Sequence, residues 1–332
     1  MNVTKTVDEA RRYIAGVLEG AGASPEAADT VASALVYADA RGTSSHGINM
    51  LEAYLERIEK GGIDPSAMPE VVREDAVTVV LDACDGFGQV GAQDLTDRLL
   101  RKMEDVSVAC GSVRRLNHCG ALAYYTEQAA REGYVAFLFV NANPTVAPFG
   151  GMEAVLGTNP MSVAVPHGES PIVLDMASSA VAKGKIYHAA KVGERIDPTW
   201  ALDAEGNPTD DPSKAINGVL NAMAGPKGYG IALVVEALAG VMSGSGFLGE
   251  VSSLHKDPSA GMNAGAFMVL VDPRAFLDEG EYEERMDRLV DTVKGSKARP
   301  GCSIFMPGEI EQGKLSKAKS DGIVYDAVFF ER

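Results

Sequence analysis

Apolar residues recur at helical spacing from the start of the chain. Val7, Tyr13, Ile14, Val17 and Leu18 mark one face of a helix predicted over residues 6–20. Ser24-Pro25 opens a second helix, with serine at the cap, proline in the first turn and Glu26 beside it. Val31, Leu35 and Val36 carry that helix towards Asp39, and a third amphipathic stretch, 48–60, stops at Gly61-Gly62. The chain therefore opens as a helical lobe. From Val71 short apolar runs alternate with helical segments. Strands are predicted at 77–81, 106–110, 135–140, 161–165, 172–174 and 266–271, and a last short one at 302–306. Helices are predicted at 92–103, 121–132, 230–241 and 281–293. This mixture puts the chain in the α/β (mixed α+β) class.

Charge and cysteines narrow the partners. Among 332 residues the net charge is −16, which argues against nucleic acid or an anionic membrane as partner. No apolar run approaches the roughly 18 residues that a spanning helix needs, and the charged N-terminus lacks the apolar stretch of a signal peptide. Cys84, Cys110, Cys119 and Cys302 show no paired spacing and read as reduced thiols of a cytoplasmic protein. No histidine pair or Cys/His group has metal-ligand spacing, so no metal is expected, and no GxSxG points to a serine hydrolase.

Gly86-Phe87-Gly88-Gln89-Val90-Gly91 spells the dinucleotide fingerprint GxGxxG between a strand and a helix. The acidic residue that should follow at the end of the next strand is missing: Glu104 and Asp105 come too early. Asp82 and Asp85 would also set two carboxylates beside the phosphates. In a glycine-rich chain such a hexapeptide is weak evidence, and it reads more readily as an ordinary glycine turn.

Four other segments combine residues suited to chemistry. Ser44-Ser45-His46-Gly47 puts a histidine on a loop beside hydroxyls that can orient it, and Asn117-His118-Cys119-Gly120 puts another at a strand-to-helix junction. Ala142-Asn143, Gly157-Thr158-Asn159 and Asp175-Met176-Ala177 lie in turns whose amides can cradle phosphates, with Lys183 and Lys185 just beyond to supply charge. Gly225 to Gly230 carries Lys227 into an apolar helix, an arrangement that favours an anion but is not a P-loop.

Taken in order, Tyr37 to Gly42, Ser45-His46-Gly47, Pro148 to Gly151, Gly157 to Pro160, Asp175-Met176-Ala177, Gly184-Lys185, Lys227 to Gly230 and Pro307-Gly308-Glu309 resemble the type 2 malate/L-lactate dehydrogenase family. Motifs at 36–42, 224–230 and 251–261 look nearest to its ureidoglycolate dehydrogenase branch. The resemblance implies an NAD-dependent oxidoreductase, or an NADP-dependent one, that interconverts a small 2-hydroxy acid and its 2-oxo acid. Malate, L-lactate, another 2-oxo acid or a cyclic imine are the family's alternatives. A non-catalytic dinucleotide-binding protein is the alternative of another class, and the intact His46 and His118 argue against it.

The resemblance further implies a homodimer and a non-Rossmann, mostly antiparallel seven-stranded cofactor sheet. Residues 1–70 together with 275–332 would form a helical dimerisation lobe, and 71–274 the cofactor and catalytic domain. By position, His118 matches the family's proton acceptor in one branch and His46 the proton donor in another, with Ser45 beside it. Asp175, Met176, Ala177, Lys227, Gly308, Glu309, Ile310 and the neighbourhood of Ala142 match cofactor contacts. Met50 stands where many members carry an arginine that clamps the substrate carboxylate, so either another cation holds that group or the substrate differs.

Overall fold

Local capping sets the opening of the chain. In the computed structural model, which describes residues 1–278 and 280–331, strand β1 (Asn2–Lys5) leads into helices α1 (Val7–Gly20), α2 (Pro25–Ala40) and α3 (Leu51–Lys60). Thr6 and Glu9 form a reciprocal capping box on α1, and the Ser24 hydroxyl accepts from Ala27 N–H at the start of α2. Gly61, in the left-handed region at φ 86°, ends α3.

The central part follows as β2 (Glu70–Glu74), β3 (Thr78–Asp82), α4 (Gly88–Lys102), β4 (Val108–Leu116), α5 (Ala123–Arg131), β5 (Val135–Val140), β6 (Met161–Val165) and β7 (Ile172–Met176). Next come α6 (Lys183–Val192), β8 (Ala201–Leu202), α7 (Pro212–Ile216), β9 (Val219–Leu220) and α8 (Pro226–Val235), which runs on as a π-helical stretch over Glu236–Val241. The chain closes with β10 (Ala264–Val271), α9 (Glu281–Lys294), α10 (Glu309–Asp321) and β11 (Ile323–Asp326).

Seven strands form one sheet in the order β2-β3-β4-β10-β5-β6-β7. Only β3 and β4 run parallel; the other neighbours are antiparallel, as the family resemblance implied. Helices α4 and α5 cover one face, burying Leu95, Leu99 and Tyr125 against Val79, Leu81, Val113, Leu138 and Met268. A second core unites both chain ends: Ile14, Leu18, Val31 and Leu35 pack with Leu315, Ala318, Ile323 and Tyr325, while β1 pairs antiparallel with β11. A third, smaller core lies under β8 and β9, around Val146, Leu156, Ile186 and Leu220. No helix among the described residues is long and apolar enough to cross a membrane.

Several boundaries differ from the sequence pattern. Residues 302–306 form no strand; they lead irregularly into α10, which periodicity did not reveal because only Leu315 and Ala318 on it are buried. β2 is exposed at all its positions, so it carries no alternation to read. β4 extends past the predicted strand to Leu116 because its backbone pairing with β3 and β10 continues there, although Arg114 and Arg115, paired with Asp82, break the apolar run.

The glycine hexapeptide sits in the crossover between the two parallel strands, where a Rossmann loop would sit, but it serves packing. A Cβ on Gly88 would overlap the carbonyl oxygens of Asn117 and His118, and one on Gly91 would press on the Leu116 side chain at 2.8 Å. The start of α4 is thus closed by the loop that carries His118. Gly88→Ala should cost about 1–3 kcal/mol through overpacking against backbone. Denaturant melts of the variant and its parent measure this; equal midpoints and slopes would show that the close approach is not required.

Candidate active site

His46 owes its place to the half-buried carboxyl of Asp39. Asp39, near the end of α2, accepts Ile48 N–H at 2.9 Å, and any side chain at Gly47 would overlap that carboxyl. Burial pushes the Asp39 carboxyl up to about 7. The short 3-10 turn Ser44–His46 is pulled down over α2, and Ser45 Oγ lies 2.9 Å from His46 Nδ1. Burial lowers the pKa of this half-buried histidine.

His118 is positioned from the sheet side. The adjacent Asn117 is almost fully buried; its amide nitrogen donates to Asp85 O and Gly86 O at 2.9 Å each, and its oxygen accepts Met262 N–H at 3.0 Å. Tyr54, on the buried face of α3, puts its Oη 2.7 Å from His118 Nδ1. Gln89, fully buried in the hexapeptide, donates from Nε2 to that same Oη at 2.7 Å. The His46 and His118 rings stack at 5.5 Å between centroids and 30° between planes. Burial above all, then the neighbouring His46, His255 and Arg57, push His118 down to about 3. Both imidazoles are therefore neutral near pH 7. Each has Nδ1 engaged, leaving Nε2 for a ligand.

The His46 loop opens on a cavity of about 1240 Å³, larger than the usual 300–1,000 Å³ of a single small-ligand pocket. Of the residues singled out in the sequence, Ser45, His46, Thr158, Asp175, Met176, Ala177, Lys183, Lys185 and Gly308 line it. His118 stands behind His46, next to the lining residues Gly120 and Ala121. Asp175 Oδ2 accepts Ala123 N–H at 2.8 Å; its side chain is open to the cavity, but the crowded walls push the carboxyl up to about 6. Helix α6 begins at the wall with no side-chain cap, so its free amides, Lys183 and Lys185 together favour an anion. Lys183 has its pKa lowered by burial and by Lys256.

The remaining candidates lie outside the lining. Asn159 is wholly buried: its oxygen accepts Ala142 N–H at 3.1 Å, and its nitrogen donates to Ala232 O and to Glu236. Gly157 packs on Ala142 O so closely that a Cβ would overlap it, and Asn143 follows in the same loop. Glu309, at the start of α10, accepts Met306 N–H from the preceding loop at 2.8 Å, Ile310 is half exposed beside it, and Lys227 stands exposed in the first turn of α8. Neither Glu309, Ile310 nor Lys227 lines the cavity.

The malate/L-lactate dehydrogenase profile matches residues 6–332. The chain belongs to that family. It is 34% identical over 316 residues to the L-sulfolactate dehydrogenase of Methanocaldococcus jannaschii, covering 95% of this chain and 91% of that protein. With the NAD(+) ureidoglycolate dehydrogenase of Escherichia coli K12 it shares 36% identity over 305 residues, 91% of this chain and 87% of the relative. The solved sulfolactate dehydrogenase structure from M. jannaschii superposes with a TM-score of 0.93 at 33% identity, over 99% of this chain and 94% of that one.

In this malate/L-lactate dehydrogenase family member Asp39, Tyr54 and Gln89 take part in the site without being announced as site residues by the sequence. Tyr54 looks like a core position of an amphipathic helix, and Gln89 is hidden inside a misleading motif. A buried phenol and a buried amide each demand a partner, and that demand was the available signal. Met50 is turned into the lobe core, so it presents no group to a carboxylate. Arg41 lines the cavity but is held by Glu127 at 2.6 Å and by Gln312, so its charge is already spoken for.

The His118 shift has a consequence for stability. An unfolded histidine titrates near 6.5, and the folded one only near 3. Between those values the unfolded chain holds a proton that the folded chain lacks. The stabilisation is complete above the unfolded value and is lost as pH falls, by up to about 1.4 kcal/mol per pH unit. The raised carboxyls of Asp39 and Asp175 act with the opposite sign, so the variant must be compared with its parent. His118→Gln should flatten the acid side of the unfolding free energy against pH; superimposable slopes would remove His118 as a buried neutral group.

Proposed function

We propose that this protein interconverts a small 2-hydroxy acid and its 2-oxo acid, with NAD or NADP as hydride carrier. The observation that carries this reading is the stacked His46–His118 pair, neutral and anchored through Nδ1, beside a cavity with room for a dinucleotide and a small acid. The dinucleotide, when bound, supplies the chemistry of taking a hydride from C2 or returning it. Thr158, Asp175 to Ala177, Lys183, Lys185 and Gly308 would hold it along the lined wall, with Ala142, Asn143, Gly157, Asn159, Lys227, Glu309 and Ile310 bracing that wall or reaching over its rim.

His118 Nε2 takes the substrate hydroxyl proton in oxidation and gives it back in reduction, backed through Nδ1 by Tyr54. His46, held by Ser45, hydrogen-bonds the same oxygen from the other side. Lys183, Lys185 and the uncapped start of α6 offer the positive ground that the dinucleotide phosphates need in a chain of charge −16, and Met50 supplies no arginine to the substrate carboxylate. His46→Ala and His118→Ala should each lower kcat by about 10²–10⁴-fold with dinucleotide affinity nearly unchanged. Because both act on one oxygen, the double variant should lose much less than the product of the single losses. The measurement is NAD(P)H absorbance over a panel of 2-oxo acids, with fluorescence titration of the dinucleotide. A near-normal kcat in both single variants would sink the mechanism.

The same reading makes the protein a cytoplasmic homodimer, with 1–70 and 275–332 as its helical lobe and 71–274 as its catalytic domain. Support for a second copy comes from the outer face of α8 and its π-helical continuation, where Leu233, Val234, Val241 and Met242 are 49–60% exposed. Light scattering should return twice the 34.9 kDa chain mass for the parent and the single mass for Val234→Asp/Val241→Asp. A monomeric parent would refute the pairing; a dimeric variant would move it to the lobe.

A further inference from the structure

Gln89 belongs to the one motif left over by the proposed function, and its hydrogen bonding is incomplete. Its Nε2 donates to Tyr54 Oη, yet its Oε1 is buried with no partner. An unsatisfied buried oxygen typically costs about 1–3 kcal/mol, so a reason for tolerating it should exist.

The direction of the chain Gln89–Tyr54–His118 supplies one. With the amide nitrogen towards Tyr54, the phenol oxygen accepts from Gln89, and its own proton goes to His118 Nδ1. A neutral His118 then carries its hydrogen on Nε2 and has no lone pair there to receive a proton. With the amide turned over, Oε1 accepts the Tyr54 hydroxyl proton and Tyr54 Oη accepts from His118 Nδ1–H. Nε2 is then free, and becomes the base. We propose that Gln89 is a positioning residue that sets the tautomer of His118 through Tyr54, the amide oxygen facing Tyr54 in the catalytic arrangement.

This proposal rests on His118 being the proton-exchanging group. In oxidation the C2–H bond breaks, its hydride passing to the nicotinamide. The O–H bond breaks too, its proton forming a bond to Nε2. The resulting imidazolium keeps Nδ1–H on Tyr54, and Tyr54 keeps its proton on Gln89 Oε1. Reduction runs through the same arrangement in reverse. The carboxamide suits the task because its two ends are nearly alike in shape and opposite in polarity. Gly88 beside it lets the start of α4 approach the His118 backbone closely enough for the chain to form.

The test uses the full-length protein without cofactor, labelled with ¹⁵N, and reads the imidazole nitrogens from neutral to alkaline pH; the His118→Gln variant assigns the His118 signals. The parent should show His118 protonated on Nε2. Gln89→Glu, once its carboxyl is ionised, can only accept, so His118 should switch to the Nδ1–H form. The acid limb of kcat/KM should move to higher pH in the same variant. Gln89→Met, which can do neither, should lower kcat by about 10–100-fold, the scale of loss when the partner that orients a metal-bound histidine is removed. In a Tyr54→Phe background, Gln89→Met should add almost nothing to the loss. A folded Gln89→Glu protein with the parent's tautomer and pH profile overturns the proposal. An undiminished effect of Gln89→Met in the Tyr54→Phe background also does, since it would mark Gln89 as mere packing. The nitrogen spectra need no turnover, so they judge Gln89 separately from the assignment of His118 as base, which fails only if His118→Ala keeps its kcat.

Discussion

The knot at Asn117 is the interaction on which the site depends. One buried carboxamide accepts from Met262 N–H and donates to the carbonyls of Asp85 and Gly86, so three stretches remote in sequence meet under His118. Arg57, wholly buried, extends the same knot by donating to the carbonyls of Leu254 and Asp257 at 3.1 and 3.0 Å, and to Ala260. A guanidinium held by carbonyl dipoles rather than a carboxylate keeps its positive charge. That charge, together with His46 and His255, is part of what depresses His118. The scaffolding that fixes the imidazole thus also keeps it neutral.

A similar economy governs the opposite histidine. Asp39 holds the His46 turn through Ile48 N–H, and only a glycine at position 47 leaves room for its carboxyl. His46 is fixed from the lobe that joins both chain ends, whereas His118 is fixed from the sheet side through Asn117 and from the lobe through Tyr54. Their 5.5 Å stacking is then a property of how lobe and sheet pack. Phe87 and Val90, from the start of α4, belong to the lobe core while Leu95 and Leu99 of the same helix belong to the sheet core. Helix α4 is therefore the member that transmits the spacing.

Legibility in the sequence followed burial. Helices with one apolar stripe (α1, α2 and α3) stood out, and so did β5 and β6, whose positions alternate. The order of the sheet did not, because β10 inserts between β4 and β5 after a long excursion, and local periodicity holds no record of such pairing. Among site residues, histidines and lysines on glycine-rich loops announce themselves by type. Tyr54, Gln89 and Asn117 act by being buried and bonded, and the half-buried Asp39 by its bond to Ile48 N–H, which the sequence shows only as ordinary helix and turn residues.

The glycine hexapeptide shows why a short motif is a statement about backbone before it is one about ligands. Glycines at a strand-to-helix turn allow something to come unusually close. In a Rossmann crevice that something is a pyrophosphate; here it is the chain itself, since the carbonyls of Asn117 and His118 fill the space over Gly88. The nearby carboxylate of Asp82 answers Arg114 and Arg115 rather than a ribose. The parallel crossover β3–α4–β4 is therefore spent on placing a histidine, while the uncapped start of α6, with Lys183 and Lys185, lies on the cavity wall next to residues of β7 at the other end of the sheet.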